Sequence, residues 1–352
     1  MSRRTLASVV VASLLLALAV VAALAPVPYV TMSPGPTVDV LGAGKDDKAI
    51  IDVRGHRTYP TKGDLRLTTV SVTNPTRSVP LVAVLGAWFD GARAVYPRDA
   101  IYPPEESAEE SEQQSSVEMV SSQDTAIAAA LSELGYQLPL QTEVLAVTKG
   151  SPAAGKLKAR DRILEINGVR ISRVSQVSKA VQRTGVGETA SFVVRRGAAT
   201  RTVEMEAEAA KDDPDRAVVG VQIGVGYDFP FEVQVRLDRD IGGPSAGLIF
   251  SLGVYDTLTP GALSGGKDIA GTGTITADGR VGPIGGIQQK IVAAVDAGAK
   301  VFLVPPANCE SALDADVRKG EIRLVKAATM HSAVTSLKAY ARDASADLPA
   351  CG

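Results

Sequence analysis

The sequence predicts an α+β multidomain chain held to a membrane by an N-terminal transmembrane helix. Three observations carry that expectation. An uncharged apolar run opens the chain, strand-like runs broken by turn residues fill the middle, and glycine-rich loops lead into apolar helices in the last third. The 352 residues suffice for two or three domains, and 45% hydrophobic against 22% charged residues is a globular balance. A net charge of −2 argues against a nucleic-acid binder, which would want a basic face.

Residues 1–4 form a short head and residues 5–25 the anchor. Thr5 to Ala25 carries no charge, and its 21 residues span roughly 32 Å as a helix, enough for a bilayer core. Arg3 and Arg4 precede the run, and no further Lys or Arg comes before Lys45. The positive-inside bias keeps the N-terminus cytoplasmic and sends the remainder across, as a single-pass protein of the cell membrane with an extracytoplasmic catalytic domain. Ala23-Leu24-Ala25 is shaped like a signal-peptidase site, but Pro26 just after it suits extended binding to that peptidase poorly, so the anchor reading is preferred.

From Pro34 to Tyr102, runs such as Leu65–Val72 and Leu81–Leu85 predict a β-rich juxtamembrane module (34–102) with no evident chemistry. Residues 103–117, with Glu105, Glu106, Glu109, Glu110 and Glu112, read as a solvated acidic linker. A helix from Gln123 to Leu134 follows, ended by Gly135, and opens a unit over 118–209. Cys309 and Cys351 lack CxxC spacing, which argues against structural zinc. They could pair outside the cytoplasm, but the simpler reading is one core thiol and one thiol in a loose tail, 344–352. No metal or other cofactor is expected.

In the second unit, Ser151-Pro152-Ala153-Ala154 can start a short helix, Ile163, Leu164 and Ile166 form a buried strand, and Asn167-Gly168 supplies a hairpin turn. Val174 to Val181 is an amphipathic helix. The pattern Gly150-Ser151-Pro152-Ala153-Ala154, Leu157, then Asp161 to Val169 resembles a PDZ domain. That resemblance implies a peptide added as a strand beside the helix, with Leu134-Gly135-Tyr136 the nearest candidate for the carboxylate-binding loop. Arg160 stands where this family usually has glycine.

The third unit, 216–343, holds the chemistry. Val218–Val225 and Phe231–Leu237 read as strands, and Ala246–Leu258 as a helix. Gly242-Gly243-Pro244-Ser245-Ala246-Gly247 places Ser245 at a loop-to-helix junction, where free N–H groups point toward developing negative charge. Pro244 has no N–H, so the backbone groups of Ser245 and of Gly243 or Gly242 are the candidate oxyanion donors. Asp268 to Thr276 reads as a strand, and a helix follows from about Gly286 to Ala297. Lys290 falls on the edge of its apolar face, formed by Ile287, Ile291, Ala294 and Val295. A desolvated lysine loses its proton more readily and can then serve as a base for the serine. With only His56 and His331 present, histidine chemistry has little material. On spacing alone, however, GxSxG is common and a helix-edge lysine can simply snorkel to water.

The series Gly243-Pro244-Ser245-Ala246-Gly247, Thr272-Gly273, Gly279-Arg280-Val281 and Pro283-Ile284-Gly285-Gly286, followed by Lys290, closely resembles the proteolytic domain of the Lon protease family (serine peptidase family S16). Val301-Phe302-Leu303-Val304-Pro305 and Asn308 also fit it. The chain most resembles membrane-anchored, PDZ-containing Lon-like proteins of bacteria. The resemblance implies Ser245 as nucleophile, Lys290 as its base and Thr272 as the residue that positions the lysine amine. It also implies protein or peptide substrates and a homo-oligomer, a hexameric ring. Thr274 and Gly242 depart from the family, which commonly carries acidic residues at both positions. No Walker A pattern is present, so cutting independent of ATP, at flexible or unfolded segments, is expected.

Two rivals remain. An α/β-hydrolase shares GxSxG and would need His331 as base, but only about 107 residues follow Ser245, short for that fold. A catalytically silent, membrane-tethered peptide-binding scaffold is the other.

Overall fold

The computed structural model describes residues 3–44, 47–74, 77–102, 108–237 and 241–352. Helix α1 (Arg3–Leu24) is long and apolar enough to cross a membrane, with a mean hydropathy of 2.7 over its most apolar window and none of that window buried. A signal sequence meets the same criterion.

The segment expected as a separate juxtamembrane module is instead part of a six-stranded sheet that it shares with the last third of the chain. Strands β1 (Tyr29–Asp39) and β3 (Leu65–Val72) pair antiparallel, and β3 runs parallel to Ile269–Gly271, some two hundred residues later. Leu65, Leu67 and Thr68 are buried there, so the strand is a central one rather than half of a small satellite sheet. Strand β2 (Ile51–Arg54) lies between them in sequence and pairs far downstream. Leu81–Leu85, expected as a strand, belongs to helix α2 (Leu81–Trp88), because a short apolar run fits either state and tertiary packing decides. Strand β4 (Ala94–Pro97) closes the edge against β1.

The acidic linker is also revised. Glu105 and Glu106 lie outside the described residues, but from Ala108 the chain is already helical, in α3 (Ala108–Glu133). Glu, Gln and Ala are strong helix formers, and the second half of α3 is anchored by Ala126–Leu131, all at most 1% exposed. Gly135 caps it at φ +89°.

Residues beyond α3 form a sheet in the order β8-β7-β6-β5-β10. Its strands are β5 (Leu140–Val147), β6 (Arg162–Ile166), β7 (Thr189–Arg196), β8 (Ala199–Glu206) and, after β9 (Asp213–Val218), β10 (Val221–Tyr227). Helix α4 (Ser175–Thr184) buries Val177, Ala180 and Val181 against this sheet. The turn at Asn167-Gly168 takes φ of +51° and +77°, as a two-residue hairpin loop requires. Strand β10 was expected in the catalytic unit; pairing with β5 assigns it here, so the boundary falls after Tyr227 rather than at Arg216.

Arg160 adopts φ +68°, a conformation in which glycine is the ordinary choice, and its side chain explains the exception. The guanidinium lies 2.9 Å from the Asp124 carboxylate and donates to Gln123 Oε1 at 3.1 Å, fastening this unit to α3. Beside it, Asp124 and Glu143 are both buried carboxyls; burial, followed by the Asp124 charge, pushes Glu143 up to about 8.

The remaining elements are β11 (Glu232–Val235), α5 (Gly247–Leu258), β12 (Ile269–Gly271), α6 (Ile287–Asp296), β13 (Val301–Val304), β14 (Arg323–Lys326) and α7 (Met330–Arg342). Strand β11 pairs with β2, and the large sheet runs β14-β13-β12-β3-β1-β4. Helix α5 is buried almost all round, with Leu248, Ile249, Phe250, Leu252 and Val254 at 0% exposure. Each such side chain contributes about 1.5–3 kcal/mol of burial. The tail is not loose: Cys351 is bonded to Cys309, Leu348 is buried, and Ala350 bridges to Val325. A buried apolar seat for the last residues brings the two sulfurs together, which spacing alone did not reveal.

Candidate active site

Ser245 stands in a single 3-10 turn, Pro244–Ala246, that runs directly into α5. Gly243, just before it, has φ +86° and ψ 160°, a backbone state that L side chains rarely adopt. Among the described residues no backbone carbonyl accepts from the N–H of Gly242 or Gly243. The turn is pinned from two sides. Ser122 Oγ of α3 donates to Pro244 O at 3.1 Å, and the Gly273 N–H donates to Ser245 O at 2.8 Å.

Lys290 reaches this turn from α6. Gly286 caps that helix in the left-handed region, φ +67°, and a Cβ there would fall 2.7 Å from Val70 Cγ1 and 2.8 Å from Met32 Sδ. Only glycine lets the helix start sit this close to β1 and β3. One turn later Lys290 is 2% exposed, while Ile287, Ile291 and Ala294 fill a separate apolar cluster with Ala270 and Phe302.

The amine nitrogen lies 2.8 Å from Ser245 Oγ and 3.1 Å from Thr272 Oγ1. Thr272 follows β12, where the expected strand 268–276 breaks, and its hydroxyl donates to Ser245 O at 3.0 Å. Having spent its one proton there, Thr272 Oγ1 can only accept from the lysine. Burial lowers the Lys290 pKa to about 8. A neutral amine held by one N–H on Thr272 then turns its lone pair toward the serine hydroxyl.

The Ser245–Lys290 pair opens into a cleft of about 670 Å³. Pro36–Val38 of β1 and Leu67–Val72 of β3 form one wall, with Met119 of α3, Gly242 and Gly243 completing it. Gly242 and Gly243 were expected here from the sequence, whereas the walls supplied by β1, β3 and Met119 were not. The strand segments carry no motif, and the parallel pairing of β3 to β12, with β1 antiparallel beside β3, brings them here. The departures from the expected family pattern also have places: Thr274 pairs with Gly282 in a two-residue ladder, and a side chain at Gly242 would crowd Ser115.

His331 lies elsewhere. Its Nδ1 is 2.8 Å from Glu133 Oε1 at the exposed end of α3, and it is absent from the cleft lining. Leu134-Gly135-Tyr136 does not serve a peptide groove either. It forms the C-cap of α3, with Tyr136 Oη 3.2 Å from His56 Nε2 and its ring edge-on to Phe231. The groove beside α4 is a separate cavity of about 370 Å³ between Val177, Val181 and the Val218–Val221 bend. Gly220 turns that bend at φ +73°, so close to Ser151 that a Cβ would fall 2.1 Å from Ser151 Cβ.

Residues 239–337 match the model of the Lon protease (S16) C-terminal proteolytic domain, and residues 116–207 match that of the PDZ domain. Lon proteases of Rhizobium meliloti (42% identical over 72 residues, 20% of this chain and 9% of that protein) and Campylobacter concisus (46% over 66 residues, 19% and 8%) are similar over part of the chain. So is Lon protease of Syntrophus aciditrophicus, 37% identical over 93 residues, 25% of this chain and 12% of that protein. The aligned stretch thus spans about a tenth of the length of these relatives. Among solved structures, the PDZ domain of an SdrC-like protein from Listeria monocytogenes is 23% identical, covering 24% of this chain and 86% of that one, at a TM-score of 0.22. A Geobacillus thermodenitrificans protein is 27% identical over 23% of this chain and 94% of its own, also at 0.22. The chain therefore joins, behind an apolar N-terminal helix, a PDZ domain and a Lon-type (S16) proteolytic domain.

Proposed function

We propose that this chain is an ATP-independent, membrane-anchored serine endopeptidase that cuts flexible or unfolded extracytoplasmic protein segments with a Ser245–Lys290 dyad. The observation that carries the reading is the 2.8 Å approach of a 2% exposed lysine amine, its pKa lowered to about 8, to a serine hydroxyl in an open cleft.

The chemistry follows from that approach. Neutral Lys290 takes the Ser245 proton as Oγ attacks the scissile carbonyl. The resulting oxyanion is met by the N–H groups of Ser245 and of Gly243 or Gly242. The Lys290 ammonium then gives its proton to the leaving amine, and the neutral amine activates the water that hydrolyses the acyl-enzyme. Thr272 orients Nζ throughout. Peptide capture between α4 and β10, with a chain terminus at the Val218–Val221 bend, would supply substrate selection by the PDZ domain. α1 serves as the anchor, N-terminus inside, and a homo-oligomeric ring completes the proposal.

The test is cleavage of an unfolded protein by the full chain without nucleotide, compared with Ser245→Ala. Loss of roughly 10⁴-fold or more is expected, with substrate binding retained. The wild-type rate should climb through about pH 8 as Lys290 deprotonates, and His331→Ala should leave it unchanged. Undiminished turnover in Ser245→Ala sinks the assignment. Indifference of every readout to Ser245 would instead favour a binding scaffold.

A further inference from the structure

Helix α2 presents an apolar face that none of the described residues covers. Val82, Leu85, Trp88 and Phe89 are 51%, 47%, 71% and 87% exposed, while Val84 and Ala87 on the opposite side are buried. At 100° per residue the four exposed side chains occupy one continuous face. Its neighbour identifies what covers it. The Leu81 N–H donates to the carbonyl of Ala25, immediately after α1, and Pro26-Val27 pairs with Val79-Pro80. The face therefore begins where the apolar helix ends. Two further half-exposed aromatics, Tyr29 and Tyr96, sit on the adjoining ends of β1 and β4.

We propose that α2 lies in the membrane–water interface, with Val82, Leu85, Trp88 and Phe89 inserted at headgroup depth, as a second attachment beside α1. This rests on the reading of α1 as a membrane anchor. The chemistry fits a lipid surface: Trp is the aromatic best suited to that boundary, and an eight-residue helix with an apolar face is too short to span but long enough to lie flat. Two attachments fix an orientation that a single flexible tether leaves free. Thr37, on the cleft wall, is eight residues along β1 from Tyr29, so the strand separates the cleft from its membrane-proximal end by at most about 26 Å.

Trp88 is the single tryptophan, so its fluorescence reports on this face directly. The full chain is reconstituted in phosphatidylcholine bilayers containing lipids brominated at shallow or deep acyl positions. Blue-shifted emission, protection from acrylamide and quenching that is stronger for the shallow bromines are expected. Val82→Ser with Leu85→Ser and Phe89→Ser should shift emission to the red and reduce that quenching. Emission open to acrylamide and indifferent to bromine overturns the proposal. A blue shift without bromine quenching overturns it too, since the face is then covered by protein. Extraction by alkaline carbonate is read on the same samples. Release of the chain defeats the anchor and this proposal together, whereas retention with no bromine quenching defeats this proposal alone.

Discussion

Replacing Lys290 with Met should remove catalysis and yet stabilise the protein below neutral pH. Methionine matches the lysine stem in volume and carries no charge to bury. The fall of the Lys290 pKa from 10.5 to about 8 amounts to roughly 3 kcal/mol against the charged amine in the folded state. The sign follows from proton counts. Between about pH 8 and 10.5 the unfolded chain binds the proton that the folded chain has released, so stability rises with pH across that window. The cost is complete below about pH 8 and nearly gone at 10.5. Losing the contacts to Ser245 and Thr272 offsets about 1 kcal/mol of the gain. Lys290→Met should therefore be about 2 kcal/mol more stable at pH 6 and show no gain at pH 10.5. Urea unfolding of the detergent-solubilised chain, followed by circular dichroism at both pH values, reads the difference. An equal shift at the two values would refute the claim that the lysine is held in a water-poor pocket at an energetic cost. Surviving peptide cleavage would refute its role as base.

Two other outcomes follow from neighbouring contacts. Thr272→Val keeps the shape but removes both the bond to Ser245 O and the acceptor for Lys290, and should lower kcat about 10- to 100-fold with KM little changed; a change confined to KM would show that Thr272 binds substrate rather than positioning the amine. Opening the Cys309–Cys351 bond, 42 residues apart in sequence, by Cys→Ser at both positions should cost about 4 kcal/mol on the chain-entropy account; a urea midpoint unchanged by substitution or by reductant would mean that the apolar seat of Leu348 and Cys351 holds the tail without it.

The pieces of the candidate site were legible in the sequence, because each is local. Glycines around Ser245 mark a turn that must pass through positive φ, small residues around Lys290 mark a helix edge that can be buried, and an uncharged, mostly apolar run of 21 residues marks α1. It also supplied the PDZ hairpin at Asn167-Gly168. Tertiary structure decided everything that depends on contacts between distant segments. The parallel pairing of Leu65–Val72 with Ile269–Gly271 turned an apparent outer module into a wall of the cleft, and a parallel ladder leaves no turn signature to read. The burial of Ala126–Leu131 extended a helix through residues whose acidity had suggested a linker. The Arg160–Asp124 contact gave a reason for a non-glycine at φ +68°, and the seat under β14 closed a disulfide that spacing could not choose. Short-range steric and hydrogen-bonding rules act within a few residues and so are written in order along the chain. Burial is a property of what returns from far away, and only the folded chain sets it.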